Sequence, residues 1–295
     1  FRNGKIWQRV FGVRAKAAGS VLLIGFLGGF APAAAAAAQA VRTGQLTPRQ
    51  ASALLPACVC SGPSFVILTV GEQMLGSRAL GVRLFAAQLL AGYLTAAVLC
   101  RMQGGAGQCL PAKAEDIPLP TLDAVVAQAA VTYLKLCGFV LYFRLLAAGA
   151  EALLPKPWSV LPAMLLEVCS GCDCASRTVL CASTLCCAAL SVQGASVLLQ
   201  VRTICPPEMT LRPLYRARLL HLPLSLLLFY LLLPQRAKET FSTLCGQVIT
   251  MRRLPPDCAL LIFAGCCFAV CELSRTVGSD REDMKKSSDK VANQY

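Results

Sequence analysis

Apolar residues in this chain fall in long runs separated by short polar stretches. Eight runs can be read, over 18–41, 54–75, 79–100, 121–149, 158–174, 178–201, 214–233 and 258–273. Several reach about 20 residues, the length of helix that crosses the roughly 30 Å hydrocarbon layer of a bilayer. The last is short for a crossing. The pattern predicts an all-α integral membrane fold, a polytopic helical bundle of about eight apolar segments.

Two segments are interrupted. One contains Pro56-Ala57-Cys58-Val59-Cys60-Ser61-Gly62-Pro63, with a proline and then Ser-Gly-Pro inside it. The other contains Leu166-Glu167-Val168-Cys169-Ser170-Gly171-Cys172-Asp173, with two carboxylates and a Ser-Gly. Proline and glycine break the helical ladder and free backbone groups that lipid cannot satisfy. Both segments are therefore expected to be broken or re-entrant, meeting near the midplane. A pair of such breaks, one in each half, is the strongest sequence pointer to a transport site. The two breaks also share four residues, Val59-Cys60-Ser61-Gly62 recurring as Val168-Cys169-Ser170-Gly171, which raises the question of an internal repeat.

The chain accordingly divides into a basic flank at 1–17, a first membrane half at 18–101 and a loop at 102–120. A second half covers 121–233. The stretch 234–257 is an interfacial amphipathic helix or a loop, with Phe241, Leu244, Val248 and Met251 at helical spacing. A last membrane segment comes at 258–273, then a charged tail at 274–295 expected to be disordered. The first residue is Phe1 rather than Met, so the expectation is of a piece with membrane segments upstream.

Composition sharpens this picture. The chain is 56% hydrophobic and 15% charged, with a mean hydropathy of +0.60. Soluble proteins carry about 25% charged residues, so a cytosolic globule, a disordered chain and a coiled coil are excluded. The net charge of +13 would point to nucleic acid in a soluble protein. Here the positive residues gather at segment ends, and nucleic acid is not an expected partner. Arg2, Lys5, Arg9, Arg14 and Lys16 precede the first run with no acid among them, which marks that flank as cytoplasmic. With that end inside, most basic residues fall on the side that both termini share, whether the broken segments cross fully or re-enter. A multi-pass cell-membrane protein with both termini in the cytoplasm is expected.

Most of the 17 cysteines lie in apolar runs, among them Cys181, Cys186, Cys187, Cys266, Cys267 and Cys271, where cysteine acts as a small hydrophobe. Cys169, Cys172 and Cys174 form the nearest thing to a ligand cluster. A zinc or iron–sulfur site wants four ligands, and only Cys58 and Cys60 could complete one. The structural reading is preferred, and no metal or other cofactor is expected.

Charges within the apolar runs need a reason, because each costs several kcal/mol in lipid. Glu167, one turn before Ser170-Gly171, is either a ligand for a cation or polar solute, or a proton carrier. Its alternative is structural, with the carboxylate satisfied by freed N–H groups or by Lys135. Glu72 is expected at the interface, and Arg83 and Arg144 close enough to segment ends to snorkel. His221, the only histidine, is expected to hydrogen-bond between helices. Gly25, Gly28 and Gly29 are read as close helix packing. In the sixth segment Ser191 accompanies Gln193, Ser196 and Gln200, and the last three follow i, i+3, i+7 spacing and share a helix face. That face suits a neutral polar solute or the gluing of helices. No zinc-peptidase motif, phosphate loop, nucleophile elbow or dinucleotide fingerprint occurs, so no catalytic residue is expected.

With these motifs in view the chain resembles the YlbJ-type sporulation integral membrane proteins of endospore-forming Firmicutes, which carry the nucleoside-recognition, or Gate, domain. The resemblance runs over roughly residues 10 to 235. Gly28-Gly29-Phe30-Ala31-Pro32 stands where the family has Gly-Tyr-Pro-x-Gly-Ala-Lys, and Gly44-Gln45-Leu46-Thr47 leads into the next helix. Ser61-Gly62-Pro63-Ser64-Phe65, then Gly71 and Gly76, match the family's Asn-Ser-Gly-Pro motif. Leu166-Glu167-Val168-Cys169-Ser170-Gly171 matches Leu-Glu-x-Thr-x-Gly, and Ser191 to Val201 matches Ser-Phe-Gly-Gly-x-Ser-Val-x-x-Gln-Val. Three polar positions of the family are Ala35, Cys60 and Cys169 here. The resemblance implies a role in spore formation, in cortex assembly, and, through kinship with concentrative nucleoside carriers, movement of a solute.

The expected solute site comprises Ser61, Gly62, Pro63, Glu167, Ser170, Gly171, Gln193, Ser196 and Gln200, with Glu167 coupling binding to a proton or sodium ion. A second reading is a non-transporting membrane scaffold for a sporulation complex, with sporulation proteins or further copies of the chain as partners besides the lipid bilayer.

Overall fold

Helices account for 84% of the residues described by the computed structural model, and none of those residues is in a strand. Described are residues 16–102, 121–155, 158–178 and 181–233. The segments read at 234–257, 258–273 and 274–295, the flank before residue 16 and the loop at 103–120 lie outside them. Four helical stretches are long and apolar enough to cross a membrane: Arg78–Arg101, Ala129–Leu153, Ala182–Ile204 and Arg212–Leu232. The chain forms two compact units, one of residues 1–117 and 143–249, the other of 118–142 and 250–295. Of the second unit the structure describes only the first part of a long helix; all the packing described below lies within the first unit.

The first apolar run corrects the reading of 18–41 as one span. It forms two helices, α1 (Lys16–Gly28) and α2 (Phe30–Arg42), which pack against each other, so the chain doubles back at Gly29. Gly29 takes φ +81°, open to glycine at little cost. In α2 the run of alanines combines high helix propensity with a thin profile, and Ala33, Ala34, Ala37, Ala38 and Ala40 are all buried. The next helix, α3 (Pro48–Cys58), starts at a capping box. Thr47 Oγ1 accepts from Gln50 N at 3.2 Å, and Gln50 Oε1 accepts from Thr47 N at 3.0 Å.

After α3 the chain leaves helical geometry over Val59–Gly62 and resumes as α4 (Ser64–Met74), an eleven-residue π-helix capped by Pro63. Such helices are mostly single-turn bulges, and nothing in the sequence accounts for the length of this one. The whole helix α5 (Arg78–Met102) packs on α4 so closely that a Cβ on Gly71 would lie 2.4 Å from Gly81 Cα. The long helix α6 (Leu122–Leu153) comes next.

The chain then repeats its earlier plan. Helices α7 (Val160–Leu166) and α8 (Val168–Ser176) form a second hairpin, packed so that a Cβ on Gly171 would meet Met164 Cα at 2.7 Å. Helices α9 (Ala182–Val192) and α10 (Gly194–Ile204) are halves of a second broken helix. Gln193 between them takes φ +63°, and Gly194, the first residue of α10, takes φ +68°. Finally α11 (Arg212–Leu232), with Pro213 in its first turn, is a second whole helix. Hairpin, broken helix, whole helix thus occurs twice.

Packing agrees with this correspondence. α5 pairs with its counterpart α11; α2 packs on α10 and α4 on α8, contacts that exchange when the two sets are swapped. The repeat is not the one that the shared Val-Cys-Ser-Gly marks. Val59–Gly62 lies in an open break, whereas Val168–Gly171 is the first turn of α8. Segments 54–75 and 158–174 are both interrupted as read, but only the second doubles back. The breaks at Gly29 and Gln193 are additional.

The glycines make a direct test. Gly29 is buried, at positive φ, and its Cβ would lie 2.8 Å from Gly62 N. Gly29→Ala is expected to lower the melting temperature of the detergent-solubilised protein, at a cost above about 1 kcal/mol. Gly149, within α6 and with nothing within 4 Å of a Cβ, is expected to gain about 0.5–1 kcal/mol on replacement by alanine. Equal shifts for the two would contradict the doubling-back at Gly29.

Candidate functional site

The interrupted segments touch at their interruptions. The Gly29 turn lies against the α3–α4 break, where Cys60 Sγ donates to Gly25 O at 3.7 Å and Gly62 faces Gly28 and Gly29. In the second set the α9–α10 break lies against the α7–α8 turn. A Cβ on Gly194 would stand 2.9 Å from Glu167 N and 3.0 Å from Leu166 O. Each hairpin tip is therefore pressed on the break of the broken helix next in the chain.

Glu167 forms the tip of the second hairpin, in extended conformation and 1% exposed. Its carboxylate accepts from Cys169 N at 2.8 Å, Ser170 N at 2.6 Å and Ser170 Oγ at 3.0 Å. An anion there meets the positive end of α8 and satisfies donors that have no partner within the helix. The structure thus shows the carboxylate on freed N–H groups. Ser170 also accepts from Arg144 at 3.2 Å. That arginine reaches Asp173 at 3.5 Å, and Arg177 holds the same carboxylate at 2.6 Å. Glu72 is exposed near the end of α4.

The other expected site residues divide. Ser61, Gly62 and Pro63 line the α3–α4 break, and Ser61 is buried. Gly171 serves the α7–α8 packing. Gln193 does not share a helix face with Ser196 and Gln200, a correction with a clear cause. It sits in the left-handed break before α10, so i, i+3, i+7 spacing does not run through it. Ser196 and Gln200 do share the α10 face, and Gln200 Nε2 donates to Ser196 Oγ at 3.0 Å. Gln193 is 1% exposed, and its Oε1 has no hydrogen-bond partner among the described residues.

The residue that joins the two repeats is one that no motif or periodicity singles out. Arg218 extends from α11 and donates through Nη2 to Val59 O, the cap of α3, and through Nη1 to Ser191 O in the last turn of α9 at 3.4 Å. One guanidinium therefore meets the carboxyl ends of both half-helices. Its Nε is sealed from solvent without a partner, and among the described residues no carboxylate pairs with it. Nη1 also faces His221 Nδ1 at 3.5 Å, while His221 Nε2 lies 3.0 Å from Gln88 O. A carbonyl can only accept, so His221 Nε2 carries a proton and donates to Gln88 O.

Gln88 continues this seam between α5, α9 and α11. Its Nε2 donates to Cys187 O at 3.0 Å and to Ser191 Oγ at 2.9 Å, and Ser191 Oγ bonds Ser225 Oγ. The polarity of Ser191 was legible, whereas Gln88 and Ser225 stand alone in apolar runs and gave no periodic signal. Among the described residues, no three His, Cys, Asp or Glu side chains are grouped to hold a metal ion. Cys172 and Cys186 hydrogen-bond to one another's backbone carbonyls, at 4.0 and 3.5 Å.

No protein-family model, curated protein or solved structure matches this chain.

Interhelical hydrogen bonds in membranes contribute about 0.6 kcal/mol on average and up to about 1.7 kcal/mol. A cycle of Gln88→Leu, Ser191→Ala and the double variant should give a coupling within that range, because Gln88 Nε2 donates directly to Ser191 Oγ. Additive effects on thermal stability would show that the seam is not formed.

Proposed function

We propose that this chain is a multi-pass membrane protein that moves a small polar solute through the region where its hairpin tips meet its broken helices. The observation that carries the reading is the doubled plan, with a hairpin turn against a helix break in each set. Discontinuous helices in repeated halves are how transporters present N–H and C=O groups to solutes inside a membrane. The spore-formation setting comes from the motif resemblance to YlbJ-type proteins, and the cytoplasmic placing of both termini from the basic flanks. In this reading Glu167, Ser170 and Gln193 meet the solute at the second crossing and Ser61, Gly62 and Pro63 at the first. Glu167 then has two tasks, capping α8 and meeting the solute.

One observation favours a scaffold that moves nothing. Glu167 with Ser170, and Gln200 with Ser196, are already hydrogen-bonded to one another.

The readings separate in a thermal-shift assay of the solubilised protein against uridine, adenosine and a panel of small carboxylic acids. A ligand of the folded state at a hundredfold excess over Kd stabilises it by about 2.7 kcal/mol. The transport reading expects a concentration-dependent rise for one chemical class, reduced in Glu167→Gln, which still folds because its amide retains one acceptor for the α8 N–H groups. It also expects uptake of that compound into liposomes by the wild type alone. A flat panel, with Glu167→Gln no different from wild type, would favour the scaffold.

A further inference from the structure

A helix C-terminus carries a partial charge of about −0.5. The carboxyl ends of α3 and α9, brought to one point, sum to about −1 with no cation from solution needed to balance them. Arg218 supplies that cation from within the chain. Its Nη2 and Nη1 take Val59 O and Ser191 O, Nη1 also faces His221 Nδ1, and no carboxylate shares the charge among the described residues. Ordinary surface or snorkelling arginines point their heads to water. This one turns inward, seals its Nε, and binds the two carbonyl groups that breaks in α3 and α9 release. Freed carbonyls and half-helix carboxyl ends are also what membrane proteins use to hold sodium.

We propose that the Val59 and Ser191 carbonyls form a monovalent-cation site that the Arg218 guanidinium permanently occupies, so that the protein works without sodium. The statement about coupling rests on the transport reading above. The site itself does not, because it joins α3 to α9 whether or not a solute moves. Removing the guanidinium takes away the donor that the two carbonyls share, and a small external cation should then take its position. A guanidinium derivative fits best, since its planar fork donates to both carbonyls at once.

The test is thermal stability of the detergent-solubilised full chain at constant ionic strength, exchanging choline chloride for sodium chloride, ammonium chloride or low-millimolar methylguanidinium chloride. Wild type is expected to melt at one temperature in all four. Arg218→Ala is expected to melt several degrees lower in choline and to regain part of that loss in methylguanidinium, less in ammonium or sodium. Arg218→Lys, which keeps a tethered charge, is expected to lie between the two and to ignore sodium. Sodium raising the melting temperature of wild type or of Arg218→Lys would overturn the proposal. So would a folded Arg218→Ala protein indifferent to all three cations. Should Arg218→Ala fail to fold, the wild-type and lysine arms still decide. A flat solute panel with methylguanidinium rescue would remove the transport reading and leave this site standing.

Discussion

Backbone groups released from a helix must find partners, and lipid offers none; that constraint governs this structure. Four interruptions, at Gly29, Val59–Gly62, Glu167 and Gln193, each open a helical ladder among otherwise apolar segments. The chain answers by pressing the interruptions on one another and by enclosing two charges, Glu167 fully and Arg218 in part. A carboxylate, Glu167, holds the amino end of α8. A guanidinium, Arg218, holds the carboxyl ends of α3 and α9. Each charge meets the end of a half-helix whose dipole has the opposite sign. A buried charge stripped of such partners costs several kcal/mol, so the breaks and the charges hold each other in place.

The unbroken helices do a different job. α5 and α11 pack together, joined by His221 on the Gln88 carbonyl, and Gln88 and Ser225 hydrogen-bond across to α9. Glycine permits the close contacts elsewhere, at Gly71 against Gly81 and at Gly171 against Met164. A frame of whole helices with paired short half-helices beside it divides rigid from adjustable parts. Half-helices of seven to thirteen residues are too short to be stable alone, so their order depends on the crossings. A ligand at a crossing would therefore act on the least self-sufficient elements of the chain.

The class of fold was legible in the sequence because uncharged apolar runs long enough to span a bilayer are rare outside membranes. Two breaks were legible because Ser61-Gly62-Pro63 and Glu167 with Ser170-Gly171 are chemically out of place in such runs. The other two were not. Gly29 sits in Phe26-Leu27-Gly28-Gly29-Phe30, where hydropathy cannot tell a turn from a packing glycine. Gln193 reads as one more position on a helical face, and only its left-handed backbone shows otherwise. The four-residue match hints at an internal repeat, yet the repeat lies in the order of elements, which no short identity marks. Arg218 was hidden for a simpler reason. An arginine two turns from a loop looks like one that reaches water, and its inward course depends on where α3 and α9 end.

The crossing of the first hairpin with the first broken helix is the claim on which most depends, and proximity tests it best. A Cβ on Gly25 would lie 3.1 Å from Cys58 Cβ, against about 3.5–4.5 Å in a disulfide. Oxidation of a Gly25→Cys chain keeping only Cys58 of its own cysteines, in native membranes, with a protease site placed at residues 43–47, decides the matter. The two fragments should stay together after cleavage until a reductant is added. Fragments that separate without reductant would show that α1 does not lie on the end of α3, and the paired breaks would fall with it.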